Sequence, residues 1–151
     1  MKKLLLFFVL IITSCQTPSK LTNEEVMDSF DNFFDTVDNN LEDFNSVVTD
    51  DFFIYENSRR YSKDEFIEFV SGFDIIETTR EFKDIVIDTD INSAHISLNQ
   101  MGEFIVNTPE GKVKMNFNWL ESAYIVKENG VLKYKFYFSE AIENSTTKLE
   151  D

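Results

Sequence analysis

Apolar positions along the chain follow two periods, and the switch between them divides it. Val26, Phe30, Phe33, Phe34, Val37, Leu41 and Phe44 are spaced by threes and fours, which gathers them on one helical face. Thr22 and Glu25 form a capping box that opens this helix. Asn39-Asn40 interrupts it, so a long helix followed by a shorter one over Leu41 to Val48 is expected. Phe52 to Glu56 reads as a short strand. A second capping box, Ser62 with Glu65, opens a third helix whose apolar face is Phe66, Phe69, Val70 and Phe73, with Gly72 placed to end it. Arg59 and Arg60, just before it, read as a solvated loop.

From Phe82 the period becomes two. Ile85, Ile87 and Thr89 alternate, then Ala94, Ile96 and Leu98, then Met115 to Ile125, then Leu132, Tyr134, Phe136 and Phe138. The polar stretch Asp90 to Ser93, the turn Thr108-Pro109-Glu110-Gly111 and the hairpin pair Asn129-Gly130 reverse the chain between them. The pattern predicts an α+β domain over residues 22–142: a curved antiparallel sheet of about four long strands plus a short one, packed on three N-terminal helices. Residues 143–151 read as a disordered tail.

The start of the chain belongs to a different class. Met1-Lys2-Lys3 precedes an apolar run from Leu4 to Ile12, which as a helix spans roughly 14 Å, about half a bilayer. This is the layout of a secretory signal peptide, residues 1–14. Ile12-Thr13-Ser14-Cys15 resembles the bacterial lipobox, and the resemblance implies a lipoprotein: Cys15 thioether-linked to diacylglycerol, made the first mature residue by cleavage and acylated at its new amino group with a palmitate-type chain. Residues 15–21 then form a short tether that holds the domain close to the membrane. Gln16 in place of aspartate leans towards the outer membrane, facing the periplasm. Cys15 is the single cysteine, so no internal disulfide can form.

Charge narrows the partners. The chain carries −14, and loss of Lys2 and Lys3 takes it to −16. Such a surface repels nucleic acid and anionic lipid alike, so a lipid anchor, not a basic face, is expected to hold it at the cell envelope. Sixteen phenylalanines supply a substantial core.

Little chemistry is visible. His95 is the single histidine, and its phase places it on the solvent face with Ser97 and Asn99. No dyad, metal site or cofactor loop can be assembled, and none is expected. Glu121 stands apart. Alternation with Phe117, Trp119 and Ala123 points it inward, where burial would raise its pKa. A bulge near Leu120 to Ser122 would turn it outward instead, and the competing apolar phase of Leu120 and Tyr124 favours that outcome. On the last strand, Tyr134, Phe136 and Phe138 are expected to face the helices, opposite Lys133, Lys135, Tyr137 and Ser139. Trp119 and Tyr124 fall on opposite faces of their strand.

Val47 to Phe52 (VVTDDF), Tyr61 to Phe66 (YSKDEF) and Leu132 to Ser139 (LKYKFYFS) resemble the nuclear-transport-factor-2-like superfamily and its SnoaL-like, cystatin-like bacterial members. The resemblance covers roughly residues 22–142. It implies a cone-shaped sheet with a cavity between sheet and helices, in a superfamily that holds isomerases, dehydratases and many non-enzymes. Histidines or acids common late on the last strand are phenylalanines here, which favours a non-catalytic domain. Such a domain would bind a small apolar ligand or a protein partner, a homodimer included, with Tyr55, Trp119, Tyr134, Phe136 and Phe138 as the binding set. The alternative is an acid/base isomerase- or dehydratase-type enzyme using Glu121, with Tyr134 or Tyr55 as hydrogen-bond donor.

Overall fold

The computed structural model describes residues 19–150. The signal segment, Cys15 and the first part of the tether lie outside them. The chain orders as α1 (Asn23–Asn39), a short 3-10 turn with α2 (Phe44–Val47), β1 (Val48–Glu56), β2 (Arg59–Ser62), α3 (Lys63–Ser71), β3 (Asp74–Thr89), β4 (Ser93–Thr108), β5 (Gly111–Glu128) and β6 (Val131–Lys148). The three helices pack on a curved, open sheet with strand order β2-β1-β6-β5-β4-β3.

Both expected capping boxes are formed. Thr22 and Ser62 each accept from the backbone N–H three residues on, and Glu25 and Glu65 reach back to the cap N–H at 2.8 Å. Asn40 leaves helical geometry and ends α1. The apolar face of α1 buries Val26, Phe30, Phe33 and Phe34 against the sheet. Phe33 stacks on two tyrosines of β6, its ring 4.2 Å from Tyr134 and 5.3 Å from Tyr137. Phe30 meets Phe34 and Phe82 edge-on, which closes an aromatic core under the helix.

Four features depart from the sequence pattern. Asn57 and Ser58 take positive φ (49° and 64°), so β1 turns back into β2 and the Arg59-Arg60 loop is a strand. The sheet is not wholly antiparallel, because β1 pairs β6 in parallel. The third strand begins at Asp74, well before the alternation that opens at Phe82, and β3 is an edge strand throughout. Finally, β6 continues to Lys148, paired with β5 as far as Val113, so most of the expected tail is ladder.

Bulges supply the curvature. The pairing of β3 with β4 shifts between Lys83 and Val86, at Asp84 with φ +52°. The pairing of β5 with β6 shifts twice, once where Ile125 faces Tyr134 while Tyr124 faces Phe136, and again beyond Trp119. Each inserted residue bends its strand and adds twist, which wraps the sheet round the helices. Beyond the helices the long strands carry a second apolar group, Phe104, Val106 and Trp119.

Candidate functional site

The β6 bulge decides which residues meet. Tyr134 faces inward before it. After the extra residue Lys135 the phase flips, and Tyr137 and Ser139 become the buried pair at 2% and 3% exposure. Phe136 and Phe138 therefore face outward, a correction to the expected inner placement. Phe136 packs there on Phe53 and Tyr55, at ring separations of 5.1 and 6.2 Å. Tyr55 is exposed on the same outer face. Tyr134 is wholly buried against Phe33 in the core, its hydroxyl without a partner. Of the expected binding set, Trp119 alone lines the cavity.

Glu121 is inward, at 6% exposure. The ladder between β4 and β5 is unbroken through this stretch, so the bulge expected near Leu120 to Ser122 is absent and both bulges fall on β6 instead. Leu120 and Tyr124 are the exposed phase. His95 is exposed, its Nε2 2.7 Å from Ser122 Oγ on the outer face.

Glu121 lies on a cavity of about 170 Å³ between α3 and the sheet. Its walls are apolar: Phe66, Phe69 and Val70 of α3, Phe104 and Val106 of β4, and Phe117 and Trp119 of β5. One end is polar. Glu56 of β1 pairs across the ladder with Ser139, and Ser139 pairs with Glu121, so the three occupy one row across the sheet. Tyr137 donates to Glu121 Oε2 at 3.0 Å and Ser139 donates to Oε1 at 3.4 Å. With its amide turned to satisfy both atoms, Gln100 donates to Glu121 Oε2 (3.1 Å) and accepts from Arg80 Nη1 (2.5 Å). Arg80 forks onto Asp38 of α1 through Nε and Nη2, at 2.7 and 2.6 Å. Its guanidinium lies over the rings of Phe34 and Phe104.

Burial sets the acidity here. It pushes Glu121 up to about 7, against the Tyr137 hydrogen bond and the Arg80 charge, with Glu56 adding to the rise. Burial likewise pushes Glu56 up to about 7, while Ser139 and the Trp119 indole oppose it. Near neutral pH these two side chains are therefore proton carriers in an apolar chamber, able to give or take a proton. The hydroxyl beside Glu121 belongs to Tyr137, not to Tyr134 or Tyr55. Tyr137, Arg80, Glu56 and Gln100 are the residues that sequence reasoning missed. The signal within reach was the even-numbered alternation of β4, which runs from Ala94 through Gln100 to Val106 and puts a glutamine on the buried face.

Gly102, on that same face, shapes the wall. A β carbon there would meet Trp119 Cζ3 at 2.6 Å and Phe104 Cε2 at 2.8 Å, so the missing side chain is what lets the indole lie across the strand.

No family model matches the chain, and no curated protein does. Solved structures do. A hexachlorocyclohexane dehydrochlorinase of Novosphingobium barchaimii shares 11% identity over 85% of this chain and 93% of its own, with a TM-score of 0.67. A Caulobacter vibrioides protein with a cystatin-like fold shares 16% over 80% and 89%, TM-score 0.62. The association domain of C. elegans CaMKII shares 10% over 78% and 93%, TM-score 0.61. An enzyme and an assembly domain thus share this architecture, and the chain has a cystatin-like, nuclear-transport-factor-2-like fold.

Proposed function

We propose that the domain binds a compact apolar small molecule and holds one polar group of it at the Glu56–Glu121 end. The observation that carries this reading is the shape of the chamber: aromatic and aliphatic walls with a single polar end. At about 170 Å³ it suits a one-ring body, on the scale at which a cavity of roughly 150 Å³ accommodates benzene.

Trp119 is the single tryptophan and lines the cavity, so its emission reports occupancy directly. Cyclohexylmethanol is expected to shift that emission saturably. Gly102→Ala drives the Trp119 and Phe104 rings into the chamber and is expected to weaken binding about tenfold, roughly 1.4 kcal/mol. An unsaturable emission change, with equal response in the variant, would count against the reading.

Acid/base chemistry on the bound molecule is the second reading. Glu121, titrating at about 7 beside the Tyr137 hydroxyl, favours it. Recovery of the ligand chemically unchanged after long incubation decides against it.

The proposal extends to location: an exported lipoprotein anchored through Cys15 at the outer membrane. The Lys2-Lys3 start, the apolar run and Ile12-Thr13-Ser14-Cys15 support it. Leu21 is buried, and its N–H donates to Asp90 O at the β3–β4 turn, so a tether would join the domain there. Metabolic labelling with palmitate is expected to mark the chain and to vanish in Cys15→Ser. Labelling that survives the substitution would refute the anchor.

A further inference from the structure

The polar end of the cavity holds more acid than base. Arg80 is the cationic side chain that lines it, and three of its five N–H donors are committed, Nε and Nη2 to Asp38 and Nη1 to Gln100. Asp38 cancels its charge. Among the described residues no ion pair includes Glu56 or Glu121, and no lysine lines the chamber. The groups at this end are therefore Asp38 from α1, through Arg80, Glu56 from β1, Arg80 from β3, Gln100 from β4, Glu121 from β5, and Tyr137 and Ser139 from β6, while Glu140, in the outward phase and held by Ser58, acts on Glu56 through its charge alone.

A second, independent feature lies beside the acids. The indole N–H of Trp119 is buried, on a residue only 8% exposed that lines the cavity, and makes no well-formed hydrogen bond, although it lies near enough to Glu56 to oppose the rise of that carboxyl's pKa. Its available acceptor is the neighbouring Glu56 carboxylate, and a carboxylate accepts best when ionised. The empty chamber works against that ionisation, since burial favours the protonated acid.

We propose, building on the binding reading above, that the chamber's ligand is an amine: an ammonium group on a compact apolar body, seated against Glu56 and Glu121 with the body between α3 and the sheet. The ammonium supplies the missing cation. It meets a carboxylate as that group's proton leaves to solvent, and the ionised Glu56 then takes the Trp119 N–H. Phe34 and Phe104, whose rings already attract the Arg80 guanidinium, favour a cation at this end as well. A carboxylate ligand would be repelled by the same groups. A neutral alcohol could use the walls but would leave the acids and the indole as they are.

The test uses three compounds of nearly one shape: cyclohexylmethylamine, cyclohexylmethanol and cyclohexanecarboxylate. Each is titrated calorimetrically into the purified domain at pH 6 and pH 8. The amine stays cationic at both values. With acids titrating at about 7, roughly a tenth of either glutamate is ionised at pH 6 and nine-tenths at pH 8. Cyclohexylmethylamine is therefore expected to bind about tenfold tighter at pH 8 and to bind tighter there than the alcohol, while its binding at pH 6 releases close to one proton, seen as a buffer-dependent heat that nearly vanishes at pH 8. In Glu56→Gln/Glu121→Gln, which keeps the shape of both side chains, the pH dependence disappears and the amine loses its advantage. Alcohol binding equal to or tighter than the amine at pH 8 would overturn the amine while leaving an apolar pocket. Failure of all three compounds would remove the pocket reading as well.

Discussion

Phe33→Ala is expected to destabilise the domain by about 3–5 kcal/mol, a large share of the roughly 5–15 kcal/mol that holds a domain folded. The ring is 3% exposed and is the hub of the aromatic core. It stacks on Tyr134 and Tyr137, meets Phe34 edge-on at 5.5 Å and approaches Phe44 at 5.8 Å. Truncation leaves a cavity between α1 and β6 that a helix and a six-stranded sheet cannot close together. It also unseats Tyr137, the donor to Glu121. Urea unfolding should show a lower midpoint with an unchanged slope. Phe136→Ala is the matched control. That ring is half-buried on the outer face, and its loss should cost far less. Equal costs for the two would contradict the assignment of β6 faces.

The contrast between these two phenylalanines shows where sequence reading succeeds and where it stops. Helix starts were legible because a capping box is a local contact: Thr22 with Glu25 and Ser62 with Glu65 need nothing from the rest of the chain. The alternation from Ala94 to Leu98 was legible because one face of β4 is buried and the other wet. The last strand was not. Tyr134, Phe136, Tyr137 and Phe138 are all aromatic, so hydrophobicity does not say which phase is inside, and one extra residue at Lys135 exchanges the faces. Glu121 was ambiguous for the same reason, since Leu120 and Tyr124 offered a rival apolar phase. The structure resolves it through partners far away in sequence, Gln100, Tyr137 and Ser139. The parallel pairing of β1 with β6 lay out of reach as well, because it joins segments some eighty residues apart. Glu56 enters the site only through that pairing.

Stability should fall as pH rises from 5 to 8, and Glu121→Gln should remove part of the fall. Unfolded, Glu121 titrates near 4.5; folded, it titrates at about 7 because burial penalises its charge. Its contribution is fully present below about 4.5, where both states hold the proton. Between 4.5 and 7 the unfolded chain releases its proton while the folded one keeps it, and stability drops by roughly 1.4 kcal/mol per pH unit. Above 7 the loss is complete, on the order of 3 kcal/mol for this group. Glu56 adds in the same direction, but less, because it is half-buried and partly screened by water. The capping-box carboxylates Glu25 and Glu65 act oppositely. Backbone N–H groups hold them below their ordinary range, so their share is lost only as pH falls through and below that range, outside the 5 to 8 window. Glutamine at 121 keeps the shape and can still accept from Tyr137 while carrying no charge. From pH 5 to pH 8 the variant's stability relative to the parent should grow by about 2–3 kcal/mol, a rise in melting temperature on the order of 5–10 °C. Parallel pH profiles for the two proteins would mean that Glu121 ionises freely. The acid/base reading proposed for the cavity would then be lost, and the proposed pH dependence of amine binding would lose the part assigned to Glu121.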